Sequence, residues 1–174
     1  MRIVTLCTGN VARSVMLGFM LAAIGDAEGV NWSLRTAGTQ AVEGLAMSGR
    51  TRDALRSIDE LGAARYGAHR SHQVTEADLA WADVVLALEA NHVRFVRSAF
   101  PLQADKAVQV LQFVRRAPLD GPLEAQIAAV VGLELEDELD VVDPTGEQSS
   151  YDACAAQLWE LAQAFAVVVA ATAD

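Results

Sequence analysis

The fold of this chain is decided near its start by the stretch Ile3-Val4-Thr5-Leu6-Cys7-Thr8-Gly9-Asn10-Val11-Ala12-Arg13-Ser14. Its first four residues are apolar or β-branched and predict a short strand. The polar, glycine-containing segment that follows predicts a loop, after which Met16, Phe19 and Met20 recur at helical spacing. The sequence therefore predicts a strand, a loop and a helix in that order, with Cys7 at the end of the strand.

The loop has the length and composition of a phosphate cradle. Five residues separate Cys7 from Arg13, and a loop of this length can wrap a tetrahedral phosphate with its backbone N–H groups while the following helix adds partial positive charge. Gly9 and Asn10 suit the unusual backbone angles of such a nest. Arg13 can grip two phosphate oxygens through its planar guanidinium. We expect the loop to bind phosphate through Thr8, Gly9, Asn10, Val11, Ala12 and Ser14.

Cys7 has the position of a nucleophile. Cysteine thiols at helix N-termini beside cationic groups ionise readily, so we expect a thiolate here at neutral pH. Ser14 could donate a hydrogen bond to that sulfur and help it to leave when a phosphocysteine intermediate breaks down. A small buried cysteine at a strand end is the alternative interpretation, but the neighbouring arginine, glycine and serine favour catalysis.

If a thiolate attacks a phosphate ester in this loop, the reaction also needs a group that protonates the leaving oxygen and then activates water. Asp143 is the best candidate, because Pro144 stiffens the chain after it and a loop position lets the carboxyl lean over a pocket. An Asp-Pro turn without catalytic meaning is the competing interpretation. Asp140 lies nearby at the end of an acidic run, and we interpret it as part of a solvated approach to the loop.

Strands and helices alternate along the rest of the chain. Further strands are predicted at residues 32–36, 83–88 and 107–111, and further helices at residues 54–61, closed by Gly62, at Leu123–Val131 and at residues 158–168. This alternation predicts an α/β fold with a parallel sheet that carries helices on both faces. In such sheets the ligand site lies at the carboxyl ends of the strands, where Cys7 falls. We expect residues 1–174 to form a single domain.

Composition argues against several classes of partner. The formal net charge of −10 opposes nucleic-acid binding, which depends on clusters of lysine and arginine. Cys7 and Cys154 are too few for a disulfide framework or a cysteine-based zinc site, and they fit a reducing cytoplasm. The most apolar late stretch, residues 164–171, is shorter than the roughly 20 residues that span a bilayer. We therefore expect a cytoplasmic protein without nucleic-acid or membrane partners.

Taken together, the sequence resembles the bacterial low-molecular-weight protein tyrosine phosphatase family. The matching segments, in order, are the loop from Cys7 to Ser14, Ala37-Gly38-Thr39, residues 69–75 leading to residues 82–86, and Asp143-Pro144. The resemblance implies a four-stranded parallel sheet in a three-layer α/β/α arrangement. It also implies Cys7 as nucleophile, Arg13 as phosphate clamp and Asp143 as general acid and base, with Ser14 as thiolate partner and Asn10 as loop brace.

The three histidines could suggest a metal site. His69, His72 and His92 form no ligand pattern with nearby carboxylates on one helical face. We interpret them as structural or surface residues, and the fold that the resemblance implies requires no metal. No cofactor is expected.

Departures from the family pattern bear on the substrate. Members that act on phosphotyrosine commonly place aromatic residues after the Ala-Gly-Thr segment and after Asp-Pro, but residues 40–44 and 145–147 contain none, so the rim is predicted to be small and partly acidic. Val11 is apolar where members that prefer phosphoarginine tend to have Thr, which makes phosphoarginine the less favoured substrate. Ala12 replaces a second loop cysteine that can protect the nucleophile through a reversible disulfide, and Cys154 is predicted to be buried on the last helix.

We therefore expect a cysteine-dependent phosphatase that hydrolyses phosphate monoesters, above all protein phosphotyrosine, through a phosphocysteine intermediate. Its partners would be phosphorylated proteins or small phosphate esters. One alternative is an arsenate reductase of the same fold that uses an external small thiol, because residues 60–100 lack relay cysteines. Another is a phosphate- or phosphoprotein-binding protein with weak turnover. The oligomeric state is left open by the sequence.

Overall fold

The predicted parallel sheet is present in the computed structural model, which describes residues 1–61 and 66–170. In this part of the chain four parallel strands lie in the order β2, β1, β3, β4. The strands are β1 Arg2–Cys7, β2 Ser33–Gly38, β3 Val84–Ala87 and β4 Ala107–Gln109. The helices are α1 Arg13–Glu28, α2 Gly49–Arg56, α3 Glu76–Trp81, α4 Ala90–Ala99, α5 Val110–Arg116, α6 Leu123–Val131 and α7 Gln148–Ala170.

The two faces of the sheet are buried in separate hydrophobic clusters. Successive side chains of a strand point to opposite faces, and here Ile3, Val84 and Leu86 join the cluster that contains α1, α5 and α7. Val4 and Val85 join the second cluster, which contains residues of α3 and α4. The three-layer α/β/α arrangement is therefore confirmed.

The carboxyl ends of the parallel strands meet at one edge of the sheet. Cys7, the last residue of β1, pairs with Gly38, the last residue of β2. A Cβ atom at Gly38 would lie only 2.4 Å from the backbone oxygen of Thr8, so the loop after β1 can approach β2 only because this residue is glycine. Both Thr39 and Gln40 then donate backbone hydrogen bonds to this loop, to the carbonyls of Cys7 and Thr8.

Element boundaries differ from the sequence expectation where caps and packing intervene. The helix expected at residues 54–61 begins earlier, because the Ser48 side chain accepts a hydrogen bond from the Thr51 backbone and caps α2. It ends at Arg56 and is followed by a 3-10 turn at Asp59–Leu61, and Gly62 lies outside the described residues. Strand β4 is shorter than expected because the chain enters α5 directly at Val110.

The last helix, α7 Gln148–Ala170, extends well beyond residues 158–168, where its apolar face predicted a helix. Within the described residues it is the one helix long and apolar enough to cross a membrane by length and composition, but half of its most apolar window is buried in the protein. Leu158 and Phe165 on this helix are fully buried in the larger cluster. A core helix of a folded domain has the same properties. Cys154 is buried on α7, as predicted.

Candidate active site

The loop between β1 and α1 turns sharply at Asn10. Its φ of 53° lies in the left-handed region, and among the described residues no other non-glycine residue has a positive φ. Asparagine tolerates this conformation better than most residues. The expectation of an unusual backbone angle is therefore met at Asn10, whereas Gly9 does not take a positive φ.

Hydrogen bonds from three directions brace Asn10. Its side-chain nitrogen donates to the hydroxyl oxygens of Ser14 and Thr36, each at 2.9 Å, and its side-chain oxygen accepts from the backbone N–H of His72 at 2.9 Å. Its backbone carbonyl accepts from Nε2 of His69, also at 2.9 Å. The loop is thus anchored to β2 and to the segment that contains both histidines.

The sulfur of Cys7 is almost completely buried and lies among hydrogen-bond donors. Sγ is 2.9 Å from Oγ of Ser14 and accepts from the backbone N–H of Asn10 at 3.3 Å. Because the Asn10 amide already donates to the Ser14 oxygen, the Ser14 hydroxyl hydrogen is available to the sulfur. The Ser14 carbonyl also accepts a 2.7 Å hydrogen bond from the Thr5 hydroxyl. The Ser14 hydroxyl and the Asn10 N–H are therefore placed to stabilise negative charge on this sulfur.

The guanidinium of Arg13 is buried and held by groups from two distant segments. Nη1 donates to the Glu89 carboxylate and to the backbone carbonyl of Val141, the latter at 2.8 Å. Nε lies 2.7 Å from Oδ1 of Asp143, but it makes no hydrogen bond within the described residues, so this contact is ionic without hydrogen-bond alignment. Burial alone would lower the pKa of Arg13, but Glu89 and Asp143 raise it above its usual value.

The structure thus brings Asp143 to the loop, and it corrects the expectation for Asp140. The Asp143 side chain is 59% exposed and lies at the mouth of the site. Asp140 is not a solvated residue: it is half-buried, and its Oδ1 accepts hydrogen bonds from the Ala90 backbone and the Gln109 side chain. Burial raises the pKa of Asp140. The reason is that the chain returns to the sheet here, with Leu139 and Val141 buried on either side.

Sequence reasoning missed Glu89 as a partner of Arg13. Glu89 follows the buried strand β3 and Leu88, at the same edge of the sheet as Cys7. The rule that placed Cys7 at the carboxyl ends of the strands could also have singled out this carboxylate.

Two of the histidines support the loop. Nε2 of His92 lies 2.9 Å from the Thr8 hydroxyl, and burial lowers the pKa of His92 to about 4, outweighing the opposing effect of Glu89. Burial also lowers the pKa of His69, so both imidazoles are neutral at pH 7. The described part of the chain contains no cluster of three or more His, Cys, Asp or Glu side chains able to hold a metal.

The rim around the loop is aliphatic as well as acidic. Val42, Leu45 and Val142 are exposed, next to the carboxylates of Glu43 and Asp143. A groove of about 510 Å³ begins at Thr8 and runs along α4 past Glu89 to Phe95. The exposed Val42 lies within residues 40–44, one of the two stretches predicted to form the rim, where the family commonly has aromatic residues and this chain has none.

The second cysteine, Cys154, is buried on α7 in the larger hydrophobic cluster. Burial raises the pKa of Cys154 to about 12, so this thiol stays protonated at neutral pH. Protonated thiols are poor nucleophiles. Cys154 is therefore a packing residue of α7.

Comparison with known proteins gives this geometry its context. Residues 2–173 match the family described as low molecular weight phosphotyrosine protein phosphatase. A protein-arginine-phosphatase of Geobacillus stearothermophilus is 34% identical over 139 residues, which cover 76% of this chain and 88% of that protein. The solved low molecular weight protein tyrosine phosphatase of T. tengcongensis has 31% identity and a TM-score of 0.76, covering 95% of this chain and 97% of that chain. The arginine phosphatase YwlE, solved as a cysteine-to-serine mutant with a phosphorylated active-site serine, has 26% identity and a TM-score of 0.77. The match covers 95% of this chain and 93% of that chain.

Proposed function

The chain belongs to the low molecular weight phosphotyrosine protein phosphatase family, and from that premise we propose that it dephosphorylates proteins through a phosphocysteine intermediate on Cys7. The observation that carries the proposal is the 2.7 Å contact between Arg13 and Asp143. It joins the loop that begins at Cys7 and the exposed carboxylate of Asp143 in one site. Cradle, nucleophile and proton donor are thus within reach of one phosphate group.

In the first step the Cys7 thiolate attacks phosphorus while the loop N–H groups and Arg13 hold the phosphate oxygens. An S–P bond forms and the bond from phosphorus to the leaving oxygen breaks. Asp143, in its acid form, gives its proton to that oxygen. The hydrogen bonds on Nη1 of Arg13 point to Glu89 and Val141, so we assign the Nε side of the guanidinium to the phosphate.

In the second step water attacks the phosphocysteine. The Asp143 carboxylate takes a proton from the water as its oxygen bonds to phosphorus, and the S–P bond breaks with the electron pair returning to Cys7. The Ser14 hydroxyl, 2.9 Å from the sulfur, donates to the thiolate as it leaves. Inorganic phosphate is released and Asp143 is again an acid.

For the substrate we propose phosphotyrosine first. Val11 in the loop and the exposed Val42 and Val142 at the rim offer apolar contacts to an aromatic ring and no hydrogen-bond acceptor to a guanidinium. Phosphoarginine is the second candidate, because the relative from Geobacillus stearothermophilus is a protein-arginine-phosphatase and the carboxylates of Glu89 and Asp143 could attract a cationic side chain. The groove along α4 would receive the chain that flanks the phosphorylated residue.

The test is a comparison of kcat/KM on one peptide that carries either phosphotyrosine or phosphoarginine at the same position. Higher kcat/KM for phosphotyrosine supports the proposal, and a preference for phosphoarginine selects the second candidate. An arsenate assay with a small external thiol is run beside it. Turnover of arsenate alone would favour the reductase, and phosphopeptide binding without turnover would favour a binding protein.

Two broader expectations also belong to this proposal. Both cysteines are unpaired and buried, which supports a reducing compartment and hence the cytoplasm. We also infer a single domain, because one sheet with a cluster on each face organises the described residues.

A further inference from the structure

Asp140 connects two neighbouring strand ends at the point where the loop of Asp143 begins. Its Oδ1 accepts hydrogen bonds from the backbone N–H of Ala90 and from Nε2 of Gln109, each at 2.6 Å. Ala90 begins α4 just after β3, and Gln109 is the last residue of β4. One carboxylate oxygen therefore holds the carboxyl ends of β3 and β4 to the returning chain.

The next residue continues this attachment toward the site. The N–H of Val141 donates to the carbonyl of Leu88 at 2.8 Å, and the carbonyl of Val141 accepts from Nη1 of Arg13 at 2.8 Å. Val141 is fully buried. The guanidinium of Arg13 is therefore held by the Glu89 carboxylate on one side and the Val141 carbonyl on the other. Glu89 lies in the chain between Leu88 and Ala90, the residues that bond to Val141 and Asp140.

The hydrogen bonds that Asp140 accepts hold the Val141 carbonyl, the second partner of Arg13, in its position. Without them, the Ala90 N–H at the start of α4 would lose its acceptor, and the Gln109 side-chain amide would keep only the Glu136 carbonyl. Leaving a buried N–H without an acceptor is costly. The segment from Asp140 to Asp143 would then be tied to β3 by the Val141 backbone alone. A shift of that segment moves both the Val141 carbonyl on Arg13 and the Asp143 carboxylate beside it.

We propose that Asp140 is a positioning residue for the reaction: its carboxylate fixes the segment that presents the Val141 carbonyl to Arg13 and carries Asp143 to the leaving oxygen. This inference rests on the proposed function, since it assigns Asp140 a role only through Asp143 and Arg13. A residue that only stabilised the fold would affect all substrates alike. Loss of a positioning residue for Asp143 instead slows the substrates with poor leaving groups most, because they need general acid catalysis most.

The experiment compares Asp140→Ala and Asp140→Asn on aryl phosphates with poor and good leaving groups. We expect Asp140→Ala to lower kcat about 10- to 100-fold with the poor leaving group, since small misplacements of a catalytic group can cost that much, and much less with the good one. Asp140→Asn keeps an acceptor oxygen and should restore most of the activity. Glu138→Ala, an exposed carboxylate of the same segment, should behave as the wild type.

Two further measurements separate positioning from stability. In an Asp143→Asn background, Asp140→Ala should lower kcat with the poor leaving group no more than it does with the good one, because the part of its effect that acts through Asp143 is then absent. Hydrogen exchange should show that the Ala90 and Val141 amides lose protection in Asp140→Ala and regain it in Asp140→Asn. Equal losses with both leaving groups, or wild-type kinetics despite lost protection, would overturn the proposal.

Failure of the proposed function would have a different signature. A wild-type chain that turns over no phosphate ester would end both ideas before any variant is compared. Unchanged exchange at Ala90 and Val141 in Asp140→Ala, with an active wild-type chain, would overturn only the positioning role.

Discussion

Nε of Arg13 lies 2.7 Å from Oδ1 of Asp143, so the buried guanidinium at the start of α1 and the exposed carboxylate of a distant segment face each other. The contact lacks hydrogen-bond alignment, and a phosphate group would compete for the same side of the guanidinium. On the proposed mechanism, a phosphate bound on that side of Arg13 displaces the Asp143 carboxylate, which serves as the proton donor to the leaving oxygen.

On the proposed mechanism Cys7 is the nucleophile, and replacing it should end turnover while the fold survives. In Cys7→Ser we expect kcat to fall on the order of 10⁴-fold or more, the scale seen when a nucleophile is removed, because an alcohol is not ionised by the donors that surround the sulfur. Stopped assays with an aryl phosphate measure kcat, and thermal unfolding checks the fold. Substantial activity in a folded Cys7→Ser protein would show that another residue attacks phosphorus.

On the proposed mechanism Arg13 binds the phosphate through its planar guanidinium, which a lysine ammonium cannot replace. In Arg13→Lys we expect kcat/KM to fall about 10³-fold, a loss typical of an arginine that stabilises a phosphoryl transition state. One ammonium cannot bind the Glu89 carboxylate and the Val141 carbonyl and still grip two phosphate oxygens. Steady-state kinetics measure the loss, with Arg115→Lys, an exposed arginine of α5, as a matched control. Near-normal kinetics in Arg13→Lys would place the clamp elsewhere.

The role of Asp143 predicts a dependence on the leaving group. We expect Asp143→Asn to slow an ester with a poor leaving group by about 10²–10⁴-fold and one with a good leaving group far less. Steady-state kinetics across a series of aryl phosphates measure this difference. Glu147→Gln, an exposed carboxylate nearby, is the control. The same loss across the leaving-group series would assign the proton to another donor.

His72 predicts a pH dependence of stability. Burial lowers the pKa of His72, but Asp78 at 2.8 Å and Glu43 at 3.2 Å outweigh it, and the net shift is upward. A raised pKa in the folded state means that the stabilisation is full below the ordinary value near 6.5 and is lost as pH rises through the raised value. Because His72 is 41% exposed, solvent screening limits the effect to about 0.5 kcal/mol.

The measurement is the unfolding free energy of the wild type and His72→Gln at about pH 5.5 and pH 8.5, on either side of the titration. The wild type should be the more stable protein at the lower pH, and the difference should shrink at the higher pH. Arg35 also pairs with Asp78, at 3.2 Å, and keeps that carboxylate partnered in both proteins. A difference that grows with pH would contradict the prediction.

Val11 predicts a change of substrate preference. A threonine at this position adds a hydroxyl that can accept a hydrogen bond from a guanidinium, whereas valine packs against a ring. We expect Val11→Thr to shift the ratio of kcat/KM toward phosphoarginine by about 10-fold, the order of discrimination that one polar contact supplies. Val167→Thr, an exposed valine of α7, serves as the control. An unchanged ratio would show that Val11 does not contact the substrate side chain.

Much of the fold could be predicted because its signals are local. The β-prone run before Cys7, the helical spacing after it and the repeated alternation of strand and helix each depend on neighbouring residues. The predicted helix Leu123–Val131 was confirmed at the same bounds. Boundaries failed where a cap or an adjacent element decided them, as at Ser48 and Val110.

The candidate site could be predicted only in part, for a related reason. Sequence alone determined the loop from Cys7 to Ser14, since its spacing and residue types are contiguous, and the resemblance pointed to Asp143. It did not determine that Glu89 and the Val141 carbonyl would share Nη1 of Arg13, or that Asp140 would turn inward. Those contacts depend on which parallel strands are neighbours and on where the chain returns to their carboxyl ends, so only the tertiary structure decided them.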